Sequence, residues 1–302
     1  MKIGKIVLTS VVFFCTASML NATTIAHTWV SGANGSDTNP CTRTAPCATF
    51  AAAAANTTAG GIISVADPGD FGPVDITKSL TIDGTNGGSI TQTNSTGIGE
   101  VDAVTIGVLS AVNVTLRNLT LNGFGQGFNG IWAGGPVNLT IENCLIENFK
   151  YSGVAMAGNE EQNVVIRNTV IVGGQSGFNV FESVPTHATL QNVTIQGASN
   201  AVSVGSGITE ISNSVLTQNT MTVLAGSGAT VSVDSSMLTM NWTAVCADAG
   251  ATIRLVNNDI FDNENGVFNC GGHVMTNDNN RESGNIKGNS IHAADVSHIP
   301  LF

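Results

Sequence analysis

The chain repeats itself at roughly the length of one coil of a solenoid. The segments VNVTLRNLTL, VNLTIENCLI, QNVVIRNTVI, HATLQNVTI, ITEISNSVL, ATVSVDSSML and ATIRLVNNDI superpose without gaps. Their closing aliphatics, Leu121, Ile146, Ile171, Ile195, Leu216, Leu238 and Ile260, are spaced 25, 25, 24, 21, 22 and 22 residues apart. Five residues before each stand Leu116, Ile141, Ile166, Leu190, Ile211, Val233 and Leu255, all aliphatic. A short alternating strand has one apolar face that it cannot bury alone, so stacking each repeat on the next is the way to form a core. Leucine-rich repeats have a similar period but need Leu at several fixed spacings and a helix per repeat, and neither is present.

A third strand per repeat shows when one counts forward. Seven residues after the last five anchors come Phe178, Val202, Val223, Val245 and Val267, and Ile131 and Val154 take the same place after longer turns. Three strands and three corners predict an all-β fold, a parallel β-helix with rungs about 4.8 Å apart. Three residues before each anchor stand Asn118, Asn143, Asn168, Asn192, Asn213, Ser235 and Asn257, and Asn279 follows in an end turn with Glu282 at its anchor position. Asparagine tolerates the left-handed backbone of a sharp corner, and stacked amides can bond from coil to coil, which predicts an asparagine ladder there. The sequons at Asn113, Asn118, Asn138 and Asn192 read as structural asparagines for the same reason.

Residues 1–26 read as an export signal, with Lys2 and Lys5 before an apolar stretch and Ala22 or Ala26 as the cut. The expectation is a secreted, periplasmic or cell-surface protein. Beyond that segment no run of about 18 apolar residues lacks a polar break, so no membrane span is expected. Removing it leaves 8 basic against 21 acidic side chains, a formal charge of −13. That sign excludes a nucleic-acid partner. The rest divides into an N-terminal cap over residues 27–61, coils over 62–282 and a C-terminal cap over 283–302, all one domain. Within the first cap, residues 48–61 predict an Ala-rich helix ended by Gly60 and Gly61 and tied down by Phe50.

Cys41 and Cys47 flank a Pro-containing loop and predict a disulfide in an exported chain. Cys246 and Cys270 fall on outward positions of neighbouring coils, and a bond or two free thiols both fit. Cys144 falls in an inward column with Leu119 and Val193.

The block TWVSGANGSDTNPCTRTAPCATF, then GGIISVADPGDFGPVDITKSLTIDG, then the Asn-bearing coils, resembles the exported bacterial right-handed β-helix proteins of the pectin-lyase-like superfamily. The right hand is implied by that resemblance and not by the spacing. Pectate lyases, polygalacturonases, alginate epimerases and phage tailspikes share the superfamily, and in its enzymes substrate lies across the outward side of the strand that here carries Ile131 to Val267. The outward positions there are Trp132, Ala155, Asn179, Ser203, Leu224, Cys246 and Phe268, then Gly134, Ala157, Phe181, Gly205, Gly226, Asp248 and Cys270. They hold one carboxylate and no Lys or Arg, whereas glycoside hydrolysis needs a carboxylate pair and uronate elimination a calcium-binding acid cluster with a base. The polygalacturonase-like motifs are absent too, since Gly271-Gly272-His273 and Thr276-Asn277-Asp278 match only fragments in the wrong order.

Aromatics are the sharper signal. Phe124, Phe128, Trp132, Phe149 and Tyr151 crowd two coils, and rings beside glycines make platforms for sugars. Phe128, Trp132, Asn179, Phe181, Asp248 and Phe268 are therefore the candidate glycan-binding residues, and an extracellular polysaccharide the expected partner. An enzyme with acids brought in from corners, such as Glu160, Glu161 or Glu182, and a non-catalytic scaffold are the alternatives. No cofactor is expected apart from calcium, for which Asp259, Asp262 and Glu264 are the candidate ligands.

Overall fold

The structure, a computed structural model, describes residues 25–93, 101–277, 279–287 and 296–298. The export signal up to residue 24 and most of the C-terminal cap lie outside the described residues. Each coil runs through three parallel strands. A nine-stranded sheet, here sheet I, starts at Val74–Ile76 and Val104–Gly107 and continues through Asn129–Gly134 to Asn265–Cys270. Sheet II holds the longer strands that end at the asparagine corner, and sheet III the short strands after it. Leu80–Thr91 and Val112–Asn122 run through the corner unbroken and so join sheets II and III into one hydrogen-bonded network.

Every anchor pairs with the next. Leu121 is level with Ile146, Ile146 with Ile171, Ile171 with Ile195 and so on to Ile260 with Glu282. All seven aliphatic anchors and all seven residues five places before them are at most 1 % exposed. Burying each such side chain contributes on the order of 1.5–3 kcal/mol, and the rung register lines them up as continuous apolar columns. Sheet I meets sheet III so closely at one corner that a Cβ on Gly130, Gly153 or Gly177 would stand 2.4–2.7 Å from the side chain of Ile146, Ile171 or Ile195.

The predicted corner residues Asn118, Asn143, Asn168, Asn192, Asn213, Ser235 and Asn257 all have left-handed φ of 50–58°. Asn143 donates to Asn118 at 3.3 Å, Asn192 to Asn168 at 2.8 Å, and Asn279 to Asn257. From Asn143 onward these corner residues are exposed. The amides that hold the interior are different ones. Asn219, Asn241 and Asn263, three residues after their anchors, point inward and are at most 3 % exposed. The Asn241 Oδ1 accepts from the Asn219 backbone N–H at 2.9 Å while its Nδ2 donates to the Leu216 carbonyl at 3.0 Å, and Asn263 repeats the pattern one coil on. A second buried file runs from Ser214 and Ser236 to Asn258 and Asn280, each oxygen accepting the backbone N–H of the coil before it. These side chains satisfy backbone groups at corners that strand pairing does not reach.

The N-terminal cap differs from expectation. Helix α1 covers only Phe50–Asn56, and Gly60 and Gly61 lie in the strand Thr57–Val65. Thr57 ends the helix by pairing in extended conformation with Ile25, and its hydroxyl donates to the Ala53 carbonyl at 2.7 Å. Strand pairing thus overrides the helix propensity of the alanines. The strand Ile25–Val30 is itself the first rung of sheet II, so the coils begin inside the expected cap. Its outer edge is covered by the loop between the disulfide-bonded Cys41 and Cys47, with Trp29 donating to the Cys41 carbonyl at 2.8 Å and accepting from Cys47 at 2.9 Å.

Burial pushes the Cys144 thiol from 9.0 up to about 11. Between those pH values the folded thiol keeps a proton that the unfolded one releases, so stability falls as pH rises through that window. Cys144→Ala should flatten that part of the Tm profile, and an unchanged alkaline slope would contradict the burial. Asn263→Ala should cost about 1–3 kcal/mol, and Asn168→Gly at the exposed corner less than ~0.5 kcal/mol, as read by urea unfolding.

Candidate functional site

Sheet I presents one outward row in unbroken register: Asp75, Thr105, Trp132, Ala155, Asn179, Ser203, Leu224, Cys246 and Phe268. Two of these rungs, at Asp75 and Thr105, precede the coils that the repeat makes visible. They correct the expectation of a chemically bare face. Long, irregular connections separate them from the regular repeats, so period counting does not reach them.

Helix α1 stands beside the opening rungs and leaves a groove of about 810 Å³ whose walls include Ala51, Asp75, Lys78, Asp102, Phe128 and Trp132. One oxygen of Asp102 accepts both the backbone N–H of Asn129 at 3.1 Å and its Nδ2 at 2.9 Å. Asn129 is itself 2 % exposed and accepts the Ser152 N–H at 3.1 Å, so the carboxylate is anchored to the coil below. The Trp132 indole folds along its own strand over Gly134. A Cβ on Gly134 would lie 2.2 Å from the indole, so only glycine leaves room for the ring there.

Phe128 and Tyr151 stack at 4.5 Å between ring centres with 23° between planes. Phe128 faces the groove, and Tyr151 borders a second, smaller depression of about 280 Å³ that also takes in Asn179, Phe181, Glu182, Ser203 and Asp248. The stack is thus a ridge between the two hollows. Of the expected glycan residues, Phe128 and Trp132 meet in the groove, and Asn179, Phe181 and Asp248 in the depression. Phe268 stands apart: it is exposed and lines neither. Phe149, from the same aromatic cluster, is a core residue at 3 % exposure.

Cys246 and Cys270 are disulfide-bonded and staple the last two strands of sheet I. With Asp248 they form the one group of three potential metal ligands within 4.8 Å among the described residues, but the bond occupies both sulfurs. The structure does not gather Asp259, Asp262 and Glu264 into a chelate. Arg281 grips both oxygens of Asp259 at 2.5 and 2.6 Å, Lys287 pairs with Glu264 at 2.6 Å, and Asp262 occupies a left-handed corner. Removing calcium with a chelator should therefore leave the Tm unchanged, and a drop restored by added calcium would contradict this pairing scheme.

Among the described residues, no helix is long and apolar enough to cross a membrane. Residues 79–185 match the family described as right handed beta helix region. No curated protein sequence matches the chain. Three solved structures share the fold. The pectate lyase Pel9A is 13 % identical with a TM-score of 0.60, over 88 % of this chain and 79 % of its own. A lacto-N-biosidase from Eubacterium ramulus is 10 % identical with a TM-score of 0.51, over 90 % and 66 %. A rhamnogalacturonan lyase is 12 % identical with a TM-score of 0.50, over 90 % and 86 %.

Proposed function

Starting from a chain that is a right-handed parallel β-helix with the fold of the pectin-lyase-like superfamily, we propose that it is exported and binds an extracellular polysaccharide along sheet I. The sugar chain runs across the coils, from the groove beside α1 over Trp132 and the Phe128–Tyr151 ridge into the depression at Asn179 and Phe181. The observation that carries this reading is the Trp132 ring, packed over Gly134 on the wall of the groove and two rungs from Asn179 in the same row. A flat apolar ring takes the hydrophobic face of a sugar while amides and carboxylates beside it bond the hydroxyls. The names of the pectate and rhamnogalacturonan lyases support a carbohydrate partner for this fold, although fold alone supplies no reaction. For export, a cut after Ala22 leaves the first strand, which starts at Ile25, intact.

A second reading is favoured by Asp75 and Asp102 sharing the groove, because hydrolysis of a glycoside uses one carboxyl to protonate the leaving oxygen and another to activate water or attack. New reducing ends that disappear in Asp102→Asn would establish it.

Trp132→Ala should weaken retardation in a polysaccharide-containing gel by roughly fivefold in Kd, the equivalent of about 1 kcal/mol of stacking. Its circular dichroism should stay that of the parent. Equal retardation of the two proteins would remove this site.

A further inference from the structure

The charge around the two hollows points to the class of sugar. We infer that the polysaccharide held along sheet I carries free amines, as a glucosamine polymer does, and not carboxylates; this rests on the binding reading above. Asp75 and Asp102 border the groove, Glu182 and Asp248 border the depression, and among the described residues Lys78 is the only Lys or Arg lining either. Of the seven other Lys and Arg side chains after residue 26, Lys150 and Arg254 line neither hollow and five are engaged with other groups. Arg117 is paired with Asp83 at 2.9 Å, Arg167 with Glu142 at 3.2 Å, Arg281 with Asp259 and Lys287 with Glu264. Arg43 lies over the Trp29 ring at 5.1 Å. None of these five lines either hollow.

A polymer with one carboxylate per sugar would set like charges against four carboxylates along its track, which costs affinity at every subsite and slows encounter. Ammonium groups at the same spacing meet opposite charge. The exposed ring of Phe181 and the platform of Trp132 add attraction, because a cation over an aromatic face is favoured by the ring quadrupole. Stacking and hydroxyl contacts are common to any pyranose, so they set whether a sugar binds. The charge sets which one.

The test is a calorimetric comparison, on the full chain, of three tetrasaccharides: β-1,4-linked glucosamine with free amines, its fully N-acetylated form and tetragalacturonate. The free-amine form should bind tightest and tetragalacturonate weakest. The gap should narrow as salt is raised past physiological strength, where the screening length is about 8 Å. Asp75→Asn and Glu182→Gln, both at exposed side chains, should each weaken the amine form by roughly threefold to fivefold and the acetylated form by clearly less, because only the amine loses a charge pair as well as a hydroxyl contact. Glu210→Gln, an exposed acid on the outward side of sheet II, should change neither. Equal or tighter binding of the acetylated sugar or of tetragalacturonate would overturn the amine specificity while leaving glycan binding intact. An equal loss in Glu210→Gln would also overturn it, by reducing the effect to general attraction to an acidic protein. Failure of all three sugars to bind would remove the binding reading itself.

Discussion

Everything on the outside of this molecule is positioned by the stacking of like on like inside it. Leu121, Ile146, Ile171 and their successors sit level with one another because parallel strand pairing fixes the rungs, and the aliphatic columns reward only the register in which all of them are buried together. A slip of one residue in any coil would turn its apolar set to water. The outward row from Asp75 to Phe268 is the other side of that constraint. Side chains far apart in sequence are thereby held in a straight file on a rigid support, an arrangement suited to a long linear ligand.

The corners make the stack closable. The left-handed Asn and Ser residues let the chain bend sharply, and the buried files through Asn219, Asn241 and Asn263 and through Ser236, Asn258 and Asn280 satisfy the backbone that the bends leave unpaired. At the N-terminal end the Cys41–Cys47 loop covers the first strand edge, and the helix that follows it stands beside the opening rungs of sheet I. The groove is a by-product of that cover. The helix that follows the covering loop walls the groove beside the first rungs of sheet I.

The columns, the corner positions and the outward alternation were legible in the sequence because each depends on a period that counting detects. The groove was not legible, because Asp75, Lys78 and Asp102 lie in coils whose connections vary in length. The buried amides were hidden for another reason. Asn257 and Asn258 are neighbours of one residue type, and the sequence does not say which faces outward at a left-handed corner and which turns in. The recurrence of Asn219, Asn241 and Asn263 every 22 residues was a usable signal. Alanine content overstated the helix because propensity is a local quantity and the pairing of Thr57 with Ile25 is not. The pairing of Asp259 with Arg281 and of Glu264 with Lys287 was hidden because those partners lie one coil away.

The proposed sugar chain lies on sheet I and on no other face. Hydrogen exchange of the full chain, with and without a binding oligosaccharide, measures this most directly. Added protection should be confined to sheet I and the corners beside it, strongest over strands Val74–Ile76, Val104–Gly107, Asn129–Gly134, Ser152–Ala157 and Ser176–Val180. Protection centred instead on Val137–Glu142 and Gln162–Arg167 of sheet II would contradict it.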